Sequence, residues 1–341
     1  MSQGIPVQDY YSGGLATLSK QQLEQFVPFW MYRDAVLFCM PVEQTHEDVV
    51  RINSKSKLAA QVKAEGYSAP KTLALFDPAD DEDQPPIQRS FFAKPDLGGM
   101  GIHAQRWLLR DLVFFQEEDN LAIPENEISS HLKEKCRRIG KTLLVQELME
   151  NSTTMRAWAG NTLATARIDT CRTPDGDITI GRAILRMPSA TTSSVDNLHS
   201  GGTGFHIDPI SGTIGMGNAL DGFGPADYSR TSPATGETVT GHTVPDWAEM
   251  VAMVKHLHAN LSDLPIIGWD VGHTTGGPTV VEANVPAGIG VTVLYKMGGF
   301  FASPLGECLT KCIEARLKET QPKGSRLIVG AEHANDRYNG E

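Results

Sequence analysis

Two short apolar runs, Ile267-Gly268-Trp269-Asp270-Val271 and Val280-Val281-Glu282-Ala283-Asn284, flank the break His273-Thr274-Thr275-Gly276-Gly277-Pro278. A break rich in glycine and proline between two such runs dictates a hairpin, so the chain must build antiparallel sheet around this point. Side chains alternate along a strand, which puts Glu282 and Asn284 on one face. With Asp270 opposite them on the ladder, three hard oxygen ligands converge in a way that suits Mg²⁺ held together with substrate phosphates. The same residues would serve equally as the wet face of an ordinary hairpin.

Composition narrows the partners. A chain of 341 residues can bury a sizeable core, as one large domain or two modest ones. A net charge of −11 argues against nucleic acid or an anionic membrane as the main partner. No run is long and apolar enough to span a bilayer, and Met1 to Tyr11 lacks the basic and apolar segments of a secretory signal. Cys39, Cys136, Cys171, Cys308 and Cys312 form an odd, scattered set without a CxxC pair. A reduced, cytoplasmic protein is expected.

Along the chain, a polar helix is expected over Leu18 to Phe29, then an apolar run from Ala35 to Met40 stopped by Pro41, then a helix from Ser54 to Glu65 closed by Gly66. Thr72 to Phe76, Arg89 to Lys94 and Thr142 to Leu148 read as strands, with an acidic, proline-rich loop from Asp77 to Pro86. Ser129 to Ile139 has a helical pattern, and Thr162 to Met187 reads as hairpins turning at Thr173-Pro174-Asp175-Gly176. Two further helices are expected over Pro245 to Leu261, with proline opening the first turn, and over Ala302 to Thr320. The tail from Gln321 is polar and expected to be flexible.

Four segments carry candidate chemistry. Lys94-Pro95-Asp96-Leu97-Gly98-Gly99-Met100-Gly101 leads a strand ending in lysine into a glycine loop, where backbone N–H groups can approach phosphate oxygens. It is neither a Walker A loop nor a dinucleotide fingerprint, and a plain turn with an exposed lysine is the alternative. The buried strand reaching Gln146-Glu147-Leu148 can offer backbone groups to an adenine edge and a carboxylate to a ribose, or be core alone. Arg156, Arg167 and Arg186, beside apolar residues, need anionic partners: a structural carboxylate, or a triphosphate and acyl phosphate. The glycine-rich stretch from Ser194 to Gly204 reads as a substrate loop or lid, and His199 and His206 are candidate bases. No Gly-x-Ser-x-Gly elbow, His-Glu-x-x-His helix or His-Arg-Asp loop is present.

Taken in order, these motifs resemble the ATP-grasp superfamily, and most closely its sugar-transfer-associated branch. Lys94-Pro95 with its loop, Val145-Gln146-Glu147, Asn151 to Arg156, Leu185-Arg186, Val195 to Gly202, Ile207-Asp208-Pro209, Pro233-Ala234-Thr235-Gly236, Val244-Pro245-Asp246-Trp247, Gly268-Trp269-Asp270 and Glu282-Ala283-Asn284 carry the resemblance, over roughly 52–305. It implies an α+β fold in which two lobes with antiparallel sheets clasp ATP. The expected division is a short, mostly helical N-terminal extension over 1–50, a small lobe over 51–150, a large lobe over 151–320 and the tail over 321–341. Lys94 and the loop with Gly98, Gly99 and Gly101 would hold the phosphates, Lys55 or Lys57 would be the second nucleotide lysine, and Gln146, Glu147 and Leu148 would line the adenine. Asp270, Glu282 and Asn284 match the metal-ligand pattern, for Mg²⁺ or Mn²⁺. The chain is too short before residue 50 for a complete N-terminal α/β domain, and the Asn151 to Arg156 stretch is longer than the Asn-Thr-x-Arg form of the branch.

The resemblance implies a ligase that activates a small-molecule carboxylate as an acyl phosphate and couples it to an amine. Arg156 and Arg186 would stabilise the transferring phosphoryl group, and the Asp196 to Gly204 loop with Asn197 would position the acceptor. Phosphoryl transfer to a small molecule in the same cleft, and nucleotide binding without turnover, are the alternatives.

Overall fold

The computed structural model describes residues 20–24, 26–40, 45–80, 84–99, 101–116, 119–191, 196, 201–219, 228–288, 300–301 and 303–320. The segment Met1 to Tyr11, the tail from Gln321, Asn197 and His199 lie outside the described residues.

The described residues form two antiparallel sheets with helices packed on them. Helices α1 (Lys20–Glu24), α2 (Phe29–Cys39), α3 (Thr45–Asn53) and α4 (Lys55–Ala64) precede the strands β1 (Thr72–Phe76), β2 (Phe91–Pro95), β3 (Gln105–Arg110), β4 (Val113–Gln116) and β5 (Leu121–Pro124). Helix α5 (Ile128–Ile139), strand β6 (Leu143–Glu147) and helix α6 (Thr153–Ala159) follow. Then come β7 (Thr165–Arg172), β8 (Ile178–Met187), β9 (Thr203–Ile207), β10 (Ile214–Ala219) and β11 (Tyr228–Ser229). Helix α7 (Trp247–Leu261), strands β12 (Ile266–Thr274) and β13 (Gly277–Asn284), and helix α8 (Pro304–Thr320) complete the described elements. The six-stranded sheet has the order β1-β6-β2-β3-β4-β5, and the seven-stranded sheet has the order β11-β10-β9-β8-β7-β12-β13.

Each sheet has its own core. Ala74, Phe91, Trp107, Phe114, Leu132 and Val145 pack the small sheet against α5. The larger core joins the seven-stranded sheet to α7 through Ile168, Leu185, Trp269, Met253 and Leu257, and it also takes in Ile52, Leu58 and Val62 from α3 and α4. Helix α4, which the sequence division groups with the glycine loop, therefore packs with α3 on the large sheet. Gly181 and Gly217 allow close packing there, since a Cβ would lie 2.4 Å from Cys171 Sγ and 2.6 Å from the Phe205 ring respectively.

Several boundaries differ from the sequence reading. The helix expected from Leu18 to Phe29 is replaced by α1 and α2, because Pro28 lies where a new helix must begin, and the apolar run from Ala35 becomes the second half of α2. The helix expected from Pro245 starts at Trp247, because Asp246 is in the left-handed region at φ 50° and its carboxylate pairs with His273 at 2.8 Å. Arg156 sits on the short helix α6, whose first turn Ser152 caps by accepting the Met155 N–H.

Candidate active site

Along the seven-stranded sheet, one face is apolar and meets α7, while the other is lined with charge. Register makes the charged face. Asp270 lies opposite Glu282 on β13 and opposite Arg167 on β7. Thr165 lies opposite Arg186, and Asp169 opposite Arg182, on β8. Directly opposed residues point the same way, so this one surface gathers two carboxylates of the hairpin and three arginines.

Asp270 is fully buried and held by both arginines beside it. Arg167 Nε donates to Oδ1 at 2.5 Å and its Nη2 to Oδ2 at 3.1 Å, while Arg186 Nη2 lies 2.9 Å from Oδ2. Burial alone would raise the carboxyl pKa, but Arg167 and then Arg186 hold it well below the usual carboxylate range. Burial would conversely lower Arg167, yet the Asp270 charge keeps it above the ordinary guanidinium value. Arg186 also lies 3.5 Å from Asp196, whose carboxylate accepts from the Thr165 N–H at 2.8 Å and from its hydroxyl at 2.6 Å. Burial pushes Asp196 upward despite these partners. The forked guanidinium lets Arg167 engage both oxygens of Asp270, which a lysine could not, while Arg186 spreads its contacts over Asp270, Asp196 and the Thr165 hydroxyl.

Glu282 faces the first turn of α4 and the end of β2. Lys55 Nζ and Lys94 Nζ each lie 3.9 Å from its Oε2, Lys55 coming from the first turn of α4 and Lys94 from β2. Lys55 also donates to the Gly98 carbonyl at 2.6 Å, so it touches the glycine loop directly. Burial pushes Lys94 down to about 8, against the opposing pull of Glu282 and with a further push from Lys55. Lys57 is exposed, and of the two candidates only Lys55 is brought to this point. Asn284 donates its Nδ2 to Glu282 Oε1 at 3.4 Å.

The donor set suits a hard divalent cation, with one qualification about which residues supply it. Among the described residues no group of three or more His, Cys, Asp or Glu side chains gathers at metal-binding spacing. Asp270 already accepts three N–H contacts on its four lone-pair sites. The Glu282 carboxylate, with Asn284 two residues along the same strand and two lysines at 3.9 Å, supplies hard oxygen of the kind taken by a cation that retains waters and leans on phosphate oxygens, as Mg²⁺ does.

The remaining candidates are placed as follows. Gln146 is buried in β6 opposite Phe92, and Glu147 accepts the Lys71 N–H at 2.8 Å, with half-buried Leu148 next in the chain. Gly98 and Gly101 take positive φ of 114° and 69°, a backbone that glycine alone adopts freely, while Gly99 does not need it. Arg156 is not brought to the cluster, since it is half exposed and pairs with Glu150 at 2.8 Å. His206 is half-buried on β9 opposite Ile184, on the charged face, and burial lowers its pKa. Residue pattern marks Arg167 only as one of several arginines, and its place beside Asp270 follows from strand register, which spacing alone does not reveal.

The family model for sugar-transfer associated ATP-grasp matches residues 120–302, more than half of the 341 residues. A search of curated proteins finds no match. Among solved structures, an L-amino acid ligase from Bacillus licheniformis is similar at a TM-score of 0.43 and 12% identity, over 77% of this chain and 48% of that one. D-alanyl-alanine synthetase A from Vibrio cholerae O1 biovar eltor str. N16961 gives 0.45 and 10%, over 79% and 66%. A RimK domain protein ATP-grasp from Sphaerobacter thermophilus DSM 20745 gives 0.41 and 14%, over 80% and 76%. The chain spans about half the length of the first of these, and the assignment rests on the family model and not on these distant likenesses.

Proposed function

We propose that this protein, which belongs to the sugar-transfer associated ATP-grasp family, is an ATP- and Mg²⁺-dependent ligase that activates a carboxylate as an acyl phosphate and couples it to an amine. The observation that carries the reading is the meeting of Lys55 and Lys94 on Glu282 at 3.9 Å each, beside the Asp270 cluster. Two lysines on one carboxylate, one from α4 and one from β2, leave an excess positive charge, and a polyphosphate placed there would meet both ammonium groups and the N–H groups of the glycine loop.

In this reading Glu282 and Asn284, with Asp270 behind them, hold Mg²⁺, which draws charge from the phosphates when bound. Lys94 and Lys55 bind and orient the phosphate chain. Gln146, Glu147 and Leu148 line the adenine side. Arg186, paired with Asp270 at 2.9 Å and Asp196 at 3.5 Å, is held rigid within reach of the transferring phosphoryl group, and the rigidity is what makes such a donor effective. Arg167 keeps Asp270 ionised. Asn197 and Arg156 belong to this reading as acceptor-side residues through the family motif alone.

The test is acceptor-dependent ADP release across amino acids, sugar acids and small peptides, with hydroxylamine as a trap. A ligase releases ADP only with a carboxylate present and yields a hydroxamate in the trap. ADP release with a hydroxyl acceptor and no hydroxamate would replace ligation by phosphoryl transfer.

A further inference from the structure

The four residues Asn53 to Ser56, at the junction of α3 and α4, are bonded to both sides of the cleft. Toward the hairpin, the Asn53 side chain behaves as an extra strand residue. Its Nδ2 donates to the Val285 carbonyl at 2.9 Å and its Oδ1 accepts the Val285 N–H at 2.9 Å, one residue beyond Asn284. Toward the glycine loop, Asp96 clasps the start of α4. Its Oδ2 accepts the Ser54 hydroxyl at 2.6 Å, its Oδ1 accepts the Ser56 N–H at 2.7 Å, and its carbonyl accepts the Lys55 N–H at 3.2 Å. Asp96 is in turn fixed to the small sheet, donating its N–H to the Thr142 carbonyl at 2.9 Å.

Ser54 and Asp96 are both more than nine-tenths buried, so these bonds do not compete with bulk water. A buried carboxylate that meets a hydroxyl and a helix N-terminal N–H is a strong, directional anchor. Ser54 completes the junction by capping α4, accepting the Lys57 N–H. Between the two anchors sits Lys55, whose position against Gly98 and Glu282 is set by where its backbone is tied.

We infer that Asn53, Ser54 and Asp96 are positioning residues. They form one strap that ties the exit of the Glu282–Asn284 strand to the glycine loop, and so fix the spacing of Lys55 and Lys94 against Glu282. The inference rests on the nucleotide reading of that cluster. None of the three residues need touch the nucleotide for the strap to act.

A double-mutant cycle on Mg·ADP affinity, measured by calorimetry, tests it, because residues acting through one device give non-additive effects. Asn53→Ala and Asp96→Ala are each expected to weaken binding about tenfold, and the double variant also by about tenfold instead of about a hundredfold. Asp96→Asn, which keeps an acceptor for the Ser56 N–H, is expected to recover most of the loss. Additive losses, or single variants that bind like the parent protein, overturn the inference. Should the parent protein bind no adenine nucleotide, the nucleotide reading fails, and the strap is then decided by hydrogen exchange. Asp96→Ala should speed exchange of the Val285 amide at the other anchor, and unchanged exchange there refutes the strap.

Discussion

Replacing Arg167 with methionine isolates the electrostatic core of the charged face. The guanidinium holds Asp270 through contacts at 2.5 and 3.1 Å, and the carboxylate is fully buried. Removing one partner of a buried pair costs about 3–5 kcal/mol, because the charge left behind has lost its solvation and its partner. Arg186 remains at 2.9 Å from Oδ2, so the lower end of that range, about 3 kcal/mol, is expected. Adding Asp270→Asn removes the stranded charge while Arg186 still has Asp196 at 3.5 Å and the Thr165 hydroxyl at 2.6 Å. The double variant should therefore be more stable than Arg167→Met alone. Urea unfolding followed by tryptophan fluorescence, which reports on Trp269 of the same strand, measures both. A loss below about 1 kcal/mol for Arg167→Met, or a double variant less stable than the single one, would refute the ion-pair reasoning.

Three other outcomes follow from named contacts. His258 is buried between the Thr170 hydroxyl and the Leu264 carbonyl, each at 2.7 Å, and burial pushes it down to about 4. An imidazole depressed in the folded state protonates first in the unfolded chain, so stability falls as pH drops from about 6.5 toward 4, by on the order of 3 kcal/mol in full; a His258→Gln variant with an unchanged acid limb in denaturant titrations would contradict this. At Gly268 a Cβ would lie 2.7 Å from Ala287 Cβ and 2.9 Å from Asp169 Oδ1, so Gly268→Ala should cost about 1–3 kcal/mol by urea unfolding. Arg186→Ala should lower turnover about 100- to 1,000-fold in the acceptor-dependent ADP assay, as expected for loss of a preorganised donor to the transferring group.

Much of this architecture can be read from residue pattern. The hairpin of β12 and β13 follows from its glycine-proline break, and β1 has the boundaries that its apolar run predicts. Helix α4 lies within the helix expected from Ser54 to Glu65, with Ser54 standing just outside it as its cap. Strands β3 to β5 escape the pattern for a physical reason. Their first turn is made by Asp111 and Leu112, both at positive φ, and a leucine there gives no turn signal. Strands β9 to β11 are short and lie between glycines, which hides their alternation. In the candidate site, residue type singles out Lys94, Asp270, Glu282 and Asn284 as candidates, but spacing does not show that two arginines hold Asp270. Nor does it separate Lys55 from Lys57, which lie about 200° apart around the helix, so that Lys55 is buried and Lys57 exposed.

The central claim is that the late acidic hairpin and the two lysines make one pocket for a divalent cation and a polyphosphate, and Glu282 is where they meet. The direct measurement is ATP affinity with and without Mg²⁺, by calorimetry, for the parent protein and for Glu282→Gln. Mg²⁺ should tighten ATP binding in the parent and fail to do so in the variant, whose Mg²⁺-free affinity should rise because Lys55 and Lys94 lose a competing carboxylate 3.9 Å away. A variant in which Mg²⁺ tightens ATP as strongly as in the parent would contradict the account.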